Sequence, residues 1–264
     1  MTNEFGSLAF CYLTISSHNQ DSLWCRFFEQ AAPDSYNIYC HNKESFKDSD
    51  EFLSKYEIDD KIFTEWGKIS LVRASLLLFK EALKNPNNKF FLLLSESCIP
   101  LWSLETIKSS IFQYDTNLLL PQNSWTATSD SAWNKAHRWD KIKHYIKNPS
   151  DFKKASQWVC LNRSTVEFLI NNEDLDNFSA IHAADEHYFP TMIHLHSLGF
   201  SPRSVTFADW YHQTAFTDYN LNSHPYEYKT LSPNDINIAR GSYFLRKVSP
   251  FCDISEELQD FILQ

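Results

Sequence analysis

Twelve residues, Phe90-Phe91-Leu92-Leu93-Leu94-Ser95-Glu96-Ser97-Cys98-Ile99-Pro100-Leu101, most narrow what this chain can become. The first five are apolar with no polar alternation. That pattern suits a strand buried on both faces, as in the middle of a parallel sheet. The run then turns polar and meets a proline. A buried strand ending in Ser95, Glu96 and Ser97 delivers those side chains to the carboxyl edge of its sheet. In open α/β sheets ligands bind at that edge. A core strand with a capped exit turn is the plainer alternative.

The flanking segments support a sheet built from βαβ units. Leu8 to Ile15 reads as a first buried strand, and Tyr36 to His41 as a second. Between them, Asp21 is placed to cap a helix whose apolar face is Leu23, Trp24, Phe27 and Phe28. Helical periodicity over Ile69 to Ala82 leads into the central strand. Ser103 starts a helix running to about Tyr114, and Asn117 to Leu120 form another strand. Gln157 to Leu161 reads as a strand, and Ser164 with Glu167 fits a capping box for the helix after it. Pro190 places the start of a later helix near Glu186 to Phe189, because proline is tolerated in the first turn; Gly199 ends that helix. Val205 to Trp210 forms a late strand or extended edge, and Asp253 opens a final helix. Residues 122–156 are polar and rich in Trp (Trp125, Trp133, Trp139) and Lys (Lys135, Lys141, Lys143), and read as a long loop. With 264 residues and no internal repeat, the chain is expected to form one domain over residues 1–264.

Composition excludes several classes. Hydrophobic residues make up 43% and aromatic residues 16%, enough for a sizeable core. Four glycines, with no GxGxxG or GxxxxGK[ST], leave no Gly-rich phosphate loop. A net charge of −9 disfavours a general nucleic-acid binder, although a local basic patch stays open. Six scattered cysteines without CxxC read as reduced thiols. No apolar run reaches membrane-span length and the start MTNEFGS carries no signal pattern, so a cytoplasmic, soluble protein is expected.

Asp48-Ser49-Asp50 is formally a DxD, the pair with which many sugar-nucleotide transferases hold a divalent metal. Such pairs follow a strand directly. This one lies in a charged run and reads as a solvated face, as does Asp174-Leu175-Asp176. His182, Asp185, Glu186 and His187 do not have the HExxH spacing of a zinc helix.

Taken in order, AFCYLTI, LWCRFFEQ, YNIYCH, WGKISLVRASLLLFKEAL, FFLLLSESCIPL, ASQWVCLNR, DEHYFPT, FADW and YFLRK run through nearly the whole chain. With these motifs the chain resembles the core-2/I-branching β-1,6-N-acetylglucosaminyltransferase family (glycosyltransferase family 14), in its plant-type branch. It departs in three places. Ala155 stands where glycine is common before SQW. No anchor or stem like that of Golgi members is expected from the start of the sequence. The basic motif reads Leu245-Arg246-Lys247-Val248 in place of Ala-Arg-Lys-Phe.

The resemblance implies a GT-A-like α/β fold with a mostly parallel central sheet flanked by helices. It also implies an inverting, metal-independent transfer from a UDP-sugar, with GlcNAc or xylose favoured, to an acceptor hydroxyl on a carbohydrate or glycosylated molecule. No cofactor beyond the donor is expected. The residues are consistent with this. Glu96 is a single carboxylate at the strand end, a poor anchor for Mg²⁺ or Mn²⁺. Arg246 and Lys247, with Arg240, can neutralise the departing diphosphate.

Glu186 matches the family's catalytic base, and a helix N-terminus favours its anionic form. Asp185 beside it is read as helix cap or acceptor-positioning residue. Gln157, Trp158 and Arg163 are set to touch donor or acceptor, Trp158 alternatively being core. Ser16, with Ser17 and His18, lies where a nucleotide would sit after the first strand. Asp209, Trp210 and His224 are expected to shape the site. The tryptophans of the long loop are set either to stack on sugar rings or to fill core gaps. Two other readings stay open: a non-catalytic binder on the same fold, and a transferase acting on modified DNA or a cytosolic protein.

Overall fold

The computed structural model describes residues 6–15, 19–44, 51–123, 138–210 and 224–264. Five elements lead to the central turn: β1 (Ser7–Thr14), α1 (Asp21–Glu29), β2 (Tyr36–Asn42), α2 (Ser70–Leu83) and β3 (Asn88–Leu94). They are followed by β4 (Ile99–Pro100), α3 (Leu104–Tyr114), β5 (Asn117–Leu119), β6 (Gln122–Asn123), β7 (Lys153–Lys154), β8 (Cys160–Asn162), α4 (Arg163–Asn171) and α5 (Ala184–Leu195). The chain closes with β9 (Phe200–Pro202), β10 (Thr206–Ala208), α6 (Pro233–Ala239), β11 (Phe244–Arg246) and α7 (Glu256–Ile262).

Six strands form one sheet in the order β2-β1-β3-β8-β5-β9. All its neighbouring pairs are parallel except those of β8, which runs antiparallel to both β3 and β5. The central strand therefore has one parallel and one antiparallel neighbour, not two parallel ones. Both faces are covered. Leu8, Phe10 and Tyr12 of β1, with Phe90, Leu92 and Leu94 of β3, point into a core shared with α1 and α3. The intervening Ala9, Cys11, Leu13, Phe91 and Leu93 point into a second core shared with α2, α4 and α5. This explains the unbroken apolar run of β3, since a strand alternates its side chains between two buried faces. Each buried Leu or Phe stabilises by about 1.5–3 kcal/mol against leaving it exposed. The six cysteines are free thiols.

Several local expectations are corrected. Helix α1 begins after Gln20 with no side-chain cap, and Asp21 instead accepts the Phe52 amide at 3.2 Å. Helix α4 is capped by Asn162, which accepts the Thr165 amide, while Glu167 pairs with Arg163. Ser255, not Asp253, caps α7. Helix α5 ends at Leu195, with the left-handed turn taken by Ser197. Of residues 122–156, the described part is not structureless. It holds a helical turn at 138–142 and the antiparallel pair β6–β7. There Trp139 packs on Phe152, as a gap-filler would. Trp125, Trp133 and Lys135 lie outside the described residues. Among the described residues no helix is long and apolar enough to cross a membrane.

A second, small sheet, β10-β11-β4, bears most directly on function. Strand β4 leaves the turn after β3, and β11 pairs antiparallel with it, Leu245 opposite Ile99. The registration carries Arg246 to the polar end of the central strand.

Candidate active site

The turn Ser95–Cys98 is held from several sides. Trp24 of α1 donates its indole N–H to the Cys98 carbonyl at 3.0 Å. The Asn19 amide donates to the Glu96 carbonyl at 3.0 Å, and the Val248 amide to the Ser97 carbonyl at 2.9 Å. Ser95 and Ser97 share a hydroxyl hydrogen bond at 3.1 Å, and both are buried. Arg246 completes the cluster. Its Nε donates to Ser95 Oγ at 3.2 Å, and its guanidinium lies over the Trp158 ring, 4.9 Å from the centroid. Trp158 is thus both core and site: its ring is buried in the second cluster and carries the arginine on one face.

The charges here are arranged against their own comfort. Burial lowers the pKa of Lys247, and Arg246 beside it lowers it further. Burial likewise pulls Arg246 down from the ordinary arginine range. Glu96 is the nearby anion. Its carboxyl is raised by burial, an effect opposed by backbone hydrogen bonds and by Arg246 and Lys247. Two partly desolvated cations side by side disfavour each other, and a bound polyanion would relieve both costs.

The acidic pair sits on the first turn of α5. The helix begins at Ala184, six residues before Pro190, so the proline lies inside it and not in its first turn. A proline at 190 leaves the carbonyl four residues back, that of Glu186, without its helical donor. The Ala155 amide fills that place at 2.9 Å. The same segment brings Lys154 to Glu186, Nζ to Oε2 at 3.3 Å. Asp185 is buried, and its Oδ1 has no hydrogen-bond partner. Burial first, and Glu186 second, push its carboxyl up to about 7; Arg138 and Arg246 pull the other way. Asp185 therefore senses Arg246. No side chain caps the helix, whose preceding residue Ala183 is left-handed with φ 55°. His187 next in line is neutral: burial takes it down to about 3, its Nδ1 bonds the Lys153 carbonyl, and it stacks on Phe152.

The remaining expected residues divide. Gln157 stands beside Trp158, partly buried. Asp209 accepts the Tyr228 hydroxyl at 2.7 Å, and Trp210 is 47% exposed next to it. His224 lies near the cations, its pKa lowered by burial and then by Lys247 and Arg246. Arg240 is used elsewhere. It donates to the Leu101 and Phe261 carbonyls and is sandwiched between the Trp102 and Phe261 rings.

Arg163 is also engaged, binding the carbonyls of Leu83, Asn85 and Asn88 at the opposite edge of the sheet. The antiparallel course of β8 explains it. Trp158, before β8, lies by the end of β3, whereas Asn162 pairs with Phe90 near its start. Ser16, Ser17, His18, Asp48 and Asp50 lie outside the described residues. Asp176 is solvated, as expected, in an exposed pair with Arg73. Among the described residues no three His, Cys, Asp or Glu side chains are grouped to hold a metal. Reasoning from the sequence missed Lys154, Asn19 and Arg138. For Lys154 the available signal was its place directly ahead of Ala155 and SQW.

Glycosyltransferase BC10 of Oryza sativa subsp. japonica is 24% identical over 257 aligned residues, covering 84% of this chain. The chain spans 62% of the length of that relative. Among solved structures, mouse xyloside xylosyltransferase 1 in its apo form superposes with a TM-score of 0.46 at 8% identity, over 80% of this chain and 91% of that one. The sequence model described as Core-2/I-Branching enzyme matches residues 8–240, most of the chain, including the turn after β3 and the start of α5 but not Arg246 and Lys247. The chain belongs to the Core-2/I-branching enzyme family.

Proposed function

We propose that this protein is an inverting glycosyltransferase that moves a sugar from a UDP-sugar to an acceptor hydroxyl without a bound metal. Family membership and the rice relative's name support glycosyl transfer. The observation that carries the reading is the convergence of two opposed pairs. Arg246 and Lys247 sit at the end of the central strand, and Asp185, next to Glu186 on α5, sits within electrostatic reach of Arg246. In this reading the donor's diphosphate lies on Arg246 and Lys247, which neutralise the charge that grows as UDP departs. Glu186 takes the proton of the acceptor hydroxyl as its oxygen attacks the anomeric carbon. One displacement needs one base and no nucleophilic carboxylate. Lys154 holds the Glu186 carboxylate in place until an acceptor arrives. GlcNAc and xylose are the favoured donor sugars, on the family resemblance.

The test is a thermal-shift screen of UDP, UDP-GlcNAc, UDP-xylose, UDP-glucose and GDP-sugars, followed by UDP-release assays in EDTA. Stabilisation by UDP compounds and turnover that survives chelation are expected. Turnover lost in EDTA and restored by Mn²⁺ would refute the metal-free reading. Absence of any nucleotide-dependent shift would refute the donor site.

A further inference from the structure

In a chain whose net charge is −9, residues 138–154 hold six Lys and Arg against two Asp. Such an excess is usually a solvated face. Lys141, Lys143 and Lys147 fit that description, being exposed, and Lys143 pairs with Asp140 at 2.8 Å. Arg138 and Lys154 do not. Both are partly buried, and both lie against the acidic end of α5. Lys154 reaches Glu186 from a strand fixed to the helix on both sides: the Lys153 amide donates to Thr191 Oγ1 at 3.0 Å, and the Ala155 amide to the Glu186 carbonyl. Arg138 is placed by a neutral group. His187 Nδ1 lies 2.7 Å from the Lys153 carbonyl, and a carbonyl only accepts, so that nitrogen carries the hydrogen. Its Nε2 is left with a lone pair, which accepts from Arg138 Nη1 at 3.3 Å. The buried imidazole thus positions the guanidinium without neutralising it. Arg138 also acts on Asp185, whose burial makes it a poor counter-ion. Around Asp185 and Glu186 stand Arg138, Lys154 and Arg246, so positive charge prevails where two carboxyls alone would repel an anion.

We infer that the acceptor is an anion, and that a carboxylate or phosphate it carries near the reacting hydroxyl lies against Arg138 and Lys154. This rests on the proposed transferase reading of the neighbouring site. A guanidinium already held at one edge offers paired N–H donors to a carboxylate or phosphate, and little is lost in ordering it. Lys154 then stands between the acceptor's charge and Glu186, which brings the reacting hydroxyl to the carboxylate that takes its proton. The transfer is unchanged: the hydroxyl proton passes to Glu186, the oxygen bonds the anomeric carbon, and the bond to UDP breaks with its electron pair. The acidic remainder of the chain bears on the size of the anion. A long polyanion would meet that repelling field along most of its length, whereas a single anionic group meets only this corner.

Two matched pairs of probes test this. Methyl β-D-glucuronide is set against methyl β-D-glucoside for a carboxylate, and glucose 6-phosphate against glucose for a phosphate. A short single-stranded DNA represents the polyanion. Saturation-transfer NMR on the full chain reads binding, and the UDP thermal shift is read on the same samples. At least one anion should bind about tenfold or more tighter than its neutral partner, as one charge-assisted contact allows. The pair that shows the preference tells carboxylate from phosphate. The preference should be lost in Arg138→Met and in Lys154→Met, and kept in Arg138→Lys, which retains the charge. It should be untouched in Lys143→Met, which removes an exposed lysine of the same segment. The UDP shift should be present in every variant. Equal binding of anion and neutral partner, or no binding of either, would overturn the inference. So would a preference that persists in both Met variants, an equal loss in Lys143→Met, which marks a diffuse field, or binding of the DNA alone. Absence of the UDP shift in wild type would instead overturn the donor reading, and the anion preference would still be decided by its own variants.

Discussion

Ala155 gives its amide hydrogen to the Glu186 carbonyl, the one carbonyl in α5 that Pro190 leaves without a helical partner. A strand is thereby stitched to the helix through main chain, and Lys154 on that strand meets the Glu186 side chain. Position 190 controls where the acidic end of the helix sits.

Pro190→Ala separates these roles. An interior proline costs a helix about 3 kcal/mol, so the variant should hold or gain stability. Its new amide would compete with Ala155 for the same carbonyl and loosen the strand carrying Lys154. A melting temperature at or above wild type, with turnover lowered severalfold, is the expected combination. Unchanged kinetics would mean that the stitch does not position Glu186.

Glu186→Gln should fold and bind UDP as wild type does. The ion pair with Lys154 that it loses is partly exposed and worth at most about 1 kcal/mol. Turnover should fall by about 10²–10⁴, the usual contribution of a positioned base. Steady-state rates at saturating donor, set beside UDP affinity, decide it. A rate near wild type would move the base elsewhere.

Asp185→Asn should act through pH. Burial raises the folded carboxyl to about 7, above its unfolded value of 3.8. The folded state then holds its proton while the unfolded state has lost it. Stability from this group is greatest below pH 3.8 and is lost as pH rises to about 7. Three pH steps at ~1.36 kcal/mol each put the loss on the order of 4 kcal/mol. Urea unfolding should show the variant gaining on wild type between those limits and holding a constant advantage at higher pH. If Asp185 were a helix cap, the variant would be the less stable by about 0.5–2 kcal/mol at neutral pH.

Lys247→Ala and Arg246→Ala should each weaken UDP about ten- to a hundredfold, the ~1.5–3 kcal/mol of a charge-assisted contact. They should differ in the unliganded protein. Arg246 also bonds Ser95 and covers Trp158, so its loss should lower the melting temperature. Lys247 is disfavoured by Arg246, so its loss should leave stability unchanged or raised. Isothermal titration with UDP and melting curves of both variants check the split. Wild-type affinity in the two would return the pair to a structural role.

Much of this was legible in the residues. The Phe90–Leu94 run could only be a doubly buried strand, and Ser95–Ser97 had to emerge at its end. The aromatic face of α1 and the cap at Ser103 were equally plain. Strand direction was not. The hydrophobic pattern of Cys160–Asn162 is the same whichever way the strand runs, and direction alone sends Arg163 to the far edge and keeps Trp158 in the site. Pro190 misled because its rule concerns a missing donor. The replacement donor, Ala155, lies 35 positions earlier in the chain. The tandem cations of YFLRK could be seen, but their union with Ser95 rests on β11 pairing with β4, a contact across nearly 150 residues.

The tie between Asn19 and Val248 has a bearing on timing. The Asn19 side chain donates to the Val248 carbonyl at 2.7 Å, across 229 positions, while the Val248 amide secures Ser97. During synthesis the large sheet has all its strands by Pro202, long before residue 248 leaves the ribosome. Such far-separated contacts close late. On the proposed donor reading, a nascent chain can be folded at its centre before it binds nucleotide, and UDP binding then reports whether the segment around Val248 has docked.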